Sequence, residues 1–207
     1  CCIYVFVIMC KLHRFFGALF IRSYANHLVY TMVTSPSHNI ANIERINKVH
    51  KPKMKRYADY RVMLEQQKDI DAVIIGSPDH WHCLQMTDAC AAGKDVYVEK
   101  PLANSIAECQ VMLRAARKHK RIVQVGQQQR SGQHWQDVVS MVQSGQLGTI
   151  RKIKTWGYFG YGKGSPRVPD SPPPAGVDYN TWLGPAPQHP FNKNRFHGSW
   201  RHFWDHG

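Results

Sequence analysis

Three copies of one short pattern fill residues 71–130, and this repetition limits the possible folds more than any other feature of the sequence. Each copy is a brief apolar run, a polar cluster and then an amphipathic stretch. The apolar runs are Ala72–Gly76, Val96–Val98 and Ile122–Gly126. Such β-branched runs are typical of parallel strands that helices cover on both faces. The region is therefore predicted to form a βαβ sheet, in which ligands bind beyond the carboxyl ends of the strands.

Helix signals lie between and after these strands. Asp79 is predicted to cap a helix that ends just before Gly93, because aspartate favours the N-cap and glycine the C′ position. Ser105 begins a capping box, which marks the start of a second helix. Ser131 is predicted to cap a third helix that stops at Gly145. Alternating strands and helices predict a doubly wound α/β architecture.

The segments outside this core carry weaker signals. Residues 57–67 are predicted to form a short helix that leads into the first strand. Residues 149–161 alternate as a strand does and are predicted to begin a second sheet. The proline-rich stretch 162–190 is predicted to be an ordered, irregular crossover loop, with a proline-rich docking peptide as the alternative. Much of this stretch is expected to pack down, as indicated by three tryptophans in and after it: Trp182, Trp200 and Trp204.

The net charge of +13 raises the question of nucleic-acid binding. Four cations lie between Lys51 and Arg56, whereas the other cations are spread over helix ends and loops. Nucleic-acid binding usually requires a concentrated basic stripe with aromatic residues among the cations. The sequence therefore favours a solvated basic surface and disfavours a nucleic-acid partner.

The six cysteines show no spacing that is typical of a disulfide framework or a zinc site. Buried thiols in a reducing compartment are the simpler interpretation, so a cytoplasmic location is expected, or a periplasmic one if an export signal has been lost. His80, His82 and Cys83 are close in sequence, but neighbouring positions at a helix start point in different directions. No metal site is predicted.

The amino-terminal 39 residues do not follow the pattern expected of a nucleotide-binding fold. Charges at residues 11–14 interrupt the apolar runs, so neither a membrane span nor a secretory signal is predicted. Gly17 is the only glycine before Gly76, so the glycine-rich loop that would hold a pyrophosphate is absent. An acidic residue for the adenosine ribose is also absent from residues 39–45. Either the amino-terminal sequence contains a reading-frame or assembly error, or the chain has lost the residues that usually bind the cofactor; we favour the first.

Several sequence blocks occur in the order found in one enzyme family. The chain resembles the glucose–fructose oxidoreductase, inositol dehydrogenase and rhizopine catabolism family, known as Gfo/Idh/MocA, over about three quarters of its length. The matching blocks are residues 71–82, 93–102, 123–131, 182–186 and 201–205.

The resemblance implies two domains. Residues 1–130 are expected to form a Rossmann-like, doubly wound parallel sheet with a degenerate first half. Residues 131–207 are expected to begin an α/β second domain with a mainly antiparallel sheet. That sheet often forms the oligomer interface in the family, so a homo-oligomer is expected.

Lys100 is the candidate catalytic residue. A lysine at a strand end can hydrogen-bond a substrate hydroxyl and assist with its proton, although spacing alone equally allows a surface salt bridge. The resemblance favours the first role, because the family places this lysine beside substrate and nicotinamide and commonly has a cis bond before the proline. The expected cofactor-binding residues are Ser77, Pro78, Asp79, His82, Glu99, Pro101 and Gln128. Arg130 is expected to join Lys100 at the substrate.

The resemblance further implies NAD or NADP as cofactor and hydride transfer with a hydroxyl of a sugar, inositol or related polyol. The family's acid/base histidine would follow Gly207, so little or no turnover is expected of this chain alone. One alternative is an NAD-dependent glycosidase of the same fold. The other is a non-catalytic protein that binds a nucleotide or nucleic acid.

Overall fold

The computed structural model describes residues 4–8, 30–33, 55–157, 166–196 and 199–207. The predictions that concern Gly17, residues 39–45 and most of the basic run before Arg56 lie outside these ranges. Six strands of the described residues join in one sheet: β1 (Tyr4–Ile8), β2 (Tyr30–Val33), β3 (Lys55–Tyr57), β4 (Ala72–Gly76), β5 (Asp95–Glu99) and β6 (Val123–Gly126).

The strand order is β3-β2-β1-β4-β5-β6, which is the order of a doubly wound dinucleotide-binding sheet. β4, β5 and β6 are parallel, as the three-copy pattern predicts, and β2 is parallel to β3. β1 runs antiparallel to both β2 and β4. The predicted parallel sheet is thus confirmed for its second half, and the half predicted to be degenerate contains the strand that departs from it.

Five α-helices are described: α1 (Tyr60–Gln66), α2 (Asp79–Ala91), α3 (Ile106–Lys118), α4 (Gln133–Gln143) and α5 (Tyr179–Leu183). The first four confirm the predicted helices to within a few residues at each end. Short 3₁₀ turns cover Gln128–Ser131, Lys193–Arg195 and Ser199–His202.

The predicted caps are right at one start and wrong at two. Ser105 and Glu108 form the predicted capping box. Asp79 is not a cap: the N-cap is Pro78, and Asp79 is the first helical residue, where its charge suits the helix dipole. Ser131 is not a cap either, because it belongs to a 3₁₀ turn and Gly132 takes the N-cap position of α4. The predicted ends are confirmed by positive φ angles at Gly93 and Gly145.

The strand predicted over residues 149–161 is wrong for residues 149–157, which have no regular structure and are exposed. An alternating pattern provides a strand with two faces, but the strand also needs a neighbour for its backbone hydrogen bonds. No such neighbour occurs among the described residues. The rest of this prediction, residues 158–161, lies outside them.

The core lies between the parallel strands and their helices. Val73 and Ile75 of β4 and Val96 and Val98 of β5 are buried, and α1, α2 and α3 pack on the same cluster. Each such side chain contributes about 1.5–3 kcal/mol when fully buried. Alternate residues of both strands are only half-buried. The parallel strands were expected to be covered by helices on both faces of the sheet, but the side chains are fully buried on one face only.

The described residues fall into two compact units. One contains the described residues up to 126 and those from 168 to 207, and the other contains the described residues from 127 to 167. The predicted domain boundary at residue 130 remains a prediction. None of the described helices combines the length and the apolar character that a bilayer crossing requires.

The carboxyl-terminal part of the first unit has an aromatic core of its own. The described part of the proline-rich stretch is irregular except for α5, as predicted, and residues 162–165 lie outside it. Trp182 and Trp200 are buried, which agrees with the expectation that much of this stretch packs down, whereas Trp204 is 92% exposed. The buried cluster consists of Tyr179, Trp182, Leu183, Phe191, Phe196 and Trp200.

Candidate active site at the carboxyl edge of the sheet

Polar residues follow β4 and β5 at the same edge of the sheet, as predicted. β4 ends at Gly76 and is followed by Ser77 and the start of α2, while β5 ends at Glu99 and is followed by Lys100. The parallel register pairs Ile75 with Val98, so the two strands end side by side. Carboxyl ends of parallel strands are where doubly wound folds bind ligands.

Lys100 takes part in none of the ion pairs among the described residues, so the surface salt bridge that spacing also allowed is not seen there. Its side chain is exposed, and within the described part of the chain its ammonium makes no ion pair or hydrogen bond. The neighbouring Glu99 carboxylate instead accepts a hydrogen bond from the Lys100 backbone N–H at 3.2 Å. The Lys100–Pro101 bond is cis, as the resemblance implies. A cation at this edge is thus left available to a ligand.

His82 holds the loop that carries Lys100. Its ring is fully buried, with Nδ1 2.7 Å from the carbonyl oxygen of Pro101 and Nε2 2.9 Å from that of Ser77. A neutral imidazole donates to one of these oxygens and a protonated one to both. His82 therefore joins the segments after β4 and β5. Of the two alternatives for this residue, the structure favours the core histidine, and a direct contact with cofactor stays a prediction.

Asp79 is a buried carboxylate in the first turn of α2. Burial raises the pKa of its carboxyl group, while the positive charges of His82, Arg201 and Lys100 act to lower that pKa. Among the described residues its carboxylate has no direct ion-pair partner. Asp79 is thus placed to accept a hydrogen bond from a ligand near Lys100.

The other predicted cofactor residues differ in what surrounds them. Ser77 is buried and its hydroxyl donates to Gln85 Oε1 at 2.8 Å, so its hydrogen already has an internal acceptor. Pro78 is buried at the helix start. Gln128 and Arg130 are exposed in a 3₁₀ turn of the other compact unit. The cofactor and substrate roles of all these residues remain predictions.

Glu99 shows how closely the strands approach at this edge. A Cβ atom built on Gly126 would lie 3.0 Å from Glu99 Oε2 and 3.1 Å from Glu99 Cα. The absence of a side chain at Gly126, which ends β6, lets the Glu99 side chain lie across that strand. Glu99 therefore supports the loop start, and no direct contact with cofactor is needed to explain its position.

His80 has a structural role that no signal in the sequence indicates. This buried ring lies between α2 and the carboxyl-terminal segment, where its Nε2 is 3.0 Å from the carbonyl oxygen of Trp182. The indole Nε1 of Trp81 donates to that same oxygen at 3.0 Å. The ring of His206 lies 4.9 Å from the His80 ring, edge to face. The repeated tryptophans after residue 180 were the one signal that this segment packs on the sheet domain.

The described residues contain no group of three or more metal-ligating side chains. His80 and His82, which are close in sequence to Cys83, each face backbone carbonyl oxygens instead. Their ring nitrogens are used to join segments of the fold.

Comparison with known families identifies this arrangement. Residues 14–127 match the model of an oxidoreductase family with an NAD-binding Rossmann fold, and residues 131–207 match that of the family's C-terminal alpha/beta domain. The chain belongs to the Gfo/Idh/MocA oxidoreductase family. The resemblance and the two-part α/β fold class predicted from it are thereby confirmed, and the NAD-binding fold supports the predicted cofactor class.

Relatives within the Gfo/Idh/MocA family differ in their names. The chain is 36% identical over 97 residues to the uncharacterized oxidoreductase YrbE of Bacillus subtilis, which is 47% of this chain and 28% of that protein. It is 35% identical over 95 residues to the inositol 2-dehydrogenase of Salmonella typhimurium, 45% of this chain and 28% of that protein. It is 31% identical over 112 residues to glycosyl hydrolase family 109 protein 1 of a Shewanella species, 52% and 24% respectively. Each match spans less than a third of the relative.

Proposed function

We propose that the chain belongs to an oxidoreductase that transfers a hydride between NAD(P) and a hydroxyl-bearing carbon of a sugar, inositol or related polyol. The observation that carries the proposal is the Lys100 ammonium at the carboxyl end of β5, which has no partner among the described residues, in a family whose first domain is described as NAD-binding. The relative named inositol 2-dehydrogenase supports the substrate class.

The residues at this edge suit the nicotinamide half of such a cofactor. The buried Asp79 carboxylate has no ion-pair partner among the described residues, so it can accept a hydrogen bond from a ribose hydroxyl. When bound, the nicotinamide supplies the hydride acceptor. The choice between NAD and NADP is left open in this proposal.

Oxidation of a secondary alcohol requires that the hydroxyl proton leaves as the hydride departs from carbon. Lys100 would hydrogen-bond the substrate hydroxyl through its ammonium and stabilise negative charge as it develops on that oxygen, while the proton passes to the base that the resemblance assigns to a histidine of the second domain. His82 positions this lysine, because it holds the carbonyl of Pro101 from within the core. Glu99 positions it from the other side through the Lys100 backbone N–H.

The test is a Lys100→Ala substitution, with Lys118→Ala as the matched control because Lys118 is an exposed lysine in the last turn of α3. Turnover is measured as NADH formation from myo-inositol in a chimaera that carries residues 55–207 within an inositol 2-dehydrogenase. Loss of one group that stabilises developing negative charge on a reacting oxygen typically costs about 10²–10³-fold in rate. We expect Lys100→Ala to lose that much while its affinity for NAD stays close to that of the parent. An unchanged rate would contradict the assignment of Lys100 as the catalytic residue.

A second candidate is an NAD-dependent glycosidase, which the relative named glycosyl hydrolase family 109 protein 1 favours. Such an enzyme would oxidise and re-reduce the sugar around an elimination step. Release of p-nitrophenol from p-nitrophenyl N-acetylgalactosaminide by the same chimaera, without net NADH formation, would support this candidate over the dehydrogenase.

We also propose a homo-oligomer for the whole protein, which sedimentation of the purified protein tests.

A further inference from the structure

The segment Ser199–Gly207 is held against the edge of the sheet that carries Lys100. Asn104, four residues after Lys100, donates from Nδ2 to the carbonyl oxygen of Trp204 at 3.1 Å. His80, at the start of α2, has its Nδ1 3.4 Å from the carbonyl oxygen of His206. The segment is thus joined both to the loop after β5 and to the helix after β4.

Arg201 is the exposed cation of this segment. Its guanidinium carbon lies 4.2 Å from the centre of the Trp200 ring. Trp200 is only 1% exposed, and its ring is 6.3 Å from that of His80. The aromatic ring on which Arg201 stacks is therefore part of the core. Stacking on a fixed aromatic face orients a guanidinium while its N–H groups stay free to bind an oxyanion.

Arg201 also shares an electrostatic environment with the catalytic candidate. Both Arg201 and Lys100 act to lower the pKa of the Asp79 carboxyl group, against the effect of burial. Arg201 makes no ion pair or hydrogen bond within the described residues. The hydrogen bond from Asn104 to Trp204 brings the segment of Arg201 to the loop of Lys100. Neither cation is paired among the described residues, so both leave positive charge beside the proposed reaction site.

From these contacts we infer that Arg201 is a specificity-determining residue that binds the carboxylate of an acidic sugar while Lys100 binds its reacting hydroxyl. The planar guanidinium matches a carboxylate through two parallel hydrogen bonds. The inference rests on the proposed function, because Lys100 defines the reacting end of the substrate. It narrows the substrate class from neutral polyols to sugar acids such as uronates.

Two sugars that differ only at one carbon test this inference. Binding of D-glucuronate and of D-glucose to the 207-residue chain is measured by ligand-observed NMR for the parent and four variants. Arg201→Met removes the cation, Arg201→Lys keeps the charge without the planar fork, and Lys100→Ala removes the other cation. Arg114→Met is the matched control, because Arg114 is exposed on α3.

We expect the parent to bind D-glucuronate about tenfold more tightly than D-glucose, as a charge-assisted pair provides. Arg201→Met should remove this preference without changing glucose binding, Arg201→Lys should keep part of it, and Arg114→Met should keep all of it. Lys100→Ala should weaken both sugars. Equal binding of the two sugars by the parent, or equal weakening of both by Arg201→Met, would overturn the role of Arg201. In that case, weaker binding of both sugars by Lys100→Ala would still support the proposed function. Failure of the chain to bind either sugar would overturn both.

Discussion

His206 is a buried histidine whose neutral form the fold requires, and this predicts acid instability of the first compact unit. Its ring is 0% exposed, stacks on Trp182 with ring centres 4.9 Å apart and meets the His80 ring edge-on. Neither ring nitrogen has a hydrogen-bond partner among the described residues. A proton on this ring would therefore be buried without a compensating acceptor.

The size of the effect follows from the pKa. Burial lowers the pKa of His206 from 6.5 to about 4. Because the unfolded chain takes up a proton at higher pH than the folded one, the stability present above pH 6.5 is lost as the pH falls towards 4. At about 1.4 kcal/mol for each tenfold change in proton affinity, the loss is about 3 kcal/mol. Burial lowers the pKa of His80 as well, which adds to the loss in the same pH range.

His206→Leu is the perturbation that tests this account. Leucine is an apolar side chain that cannot take up a proton, and it replaces a ring whose two nitrogens have no hydrogen-bond partner among the described residues. At pH 7.5 the variant should therefore be as stable as the parent or more stable. The free energy of unfolding is measured by urea denaturation, followed by tryptophan fluorescence, at pH 7.5 and 4.5. The parent should lose most of about 3 kcal/mol between these values, and the variant should lose distinctly less.

The control is His134→Leu, which removes an exposed histidine in the other compact unit and should leave the pH dependence unchanged. If His206→Leu and the parent lost the same free energy of unfolding between pH 7.5 and 4.5, the buried ring of His206 would not be the group that titrates.

Two further predictions concern local geometry. Gly184→Ala should destabilise the protein by at least about 3 kcal/mol, because φ is +48° and the new Cβ would overlap the Trp81 ring. Gly93→Ala, at φ +79° in open space, should cost only about 1 kcal/mol. Thermal melts of the two variants separate the steric clash from the backbone strain, and equal costs would contradict the overlap. Ser105→Ala should cost about 1 kcal/mol through loss of the capping box with Glu108, and Ser105→Thr should restore most of it in urea unfolding; an alanine variant as stable as the parent would show that the box contributes nothing.

The repeated strand-and-helix pattern could be predicted from sequence because its signals are local. Apolar β-branched runs indicate β4, β5 and β6, and the capping box of α3 depends on residues only three apart. Lys100 could be proposed for the same reason, since the end of a strand predicts the edge on which a side chain will lie.

The errors have different physical causes. Asp79 has the residue type of a cap, but the adjacent Pro78 takes that position and leaves the carboxylate buried in the first turn of α2. Residues 149–157 have the alternation of a strand, but no described strand pairs with them. Local propensity states what a segment can form, and hydrogen-bond partners decide what it does form.

Patterns within about 25 residues were sufficient to predict the parallel strands, the helices between them and the edge at which Lys100 lies. The packing of the carboxyl-terminal segment on α2, through the contacts of His80 with Trp182 and His206, is visible only in three dimensions. These contacts join residues more than 100 positions apart, and no local periodicity encodes them. Their physical basis is the burial of aromatic rings, which is proportional to area and carries no sequence spacing.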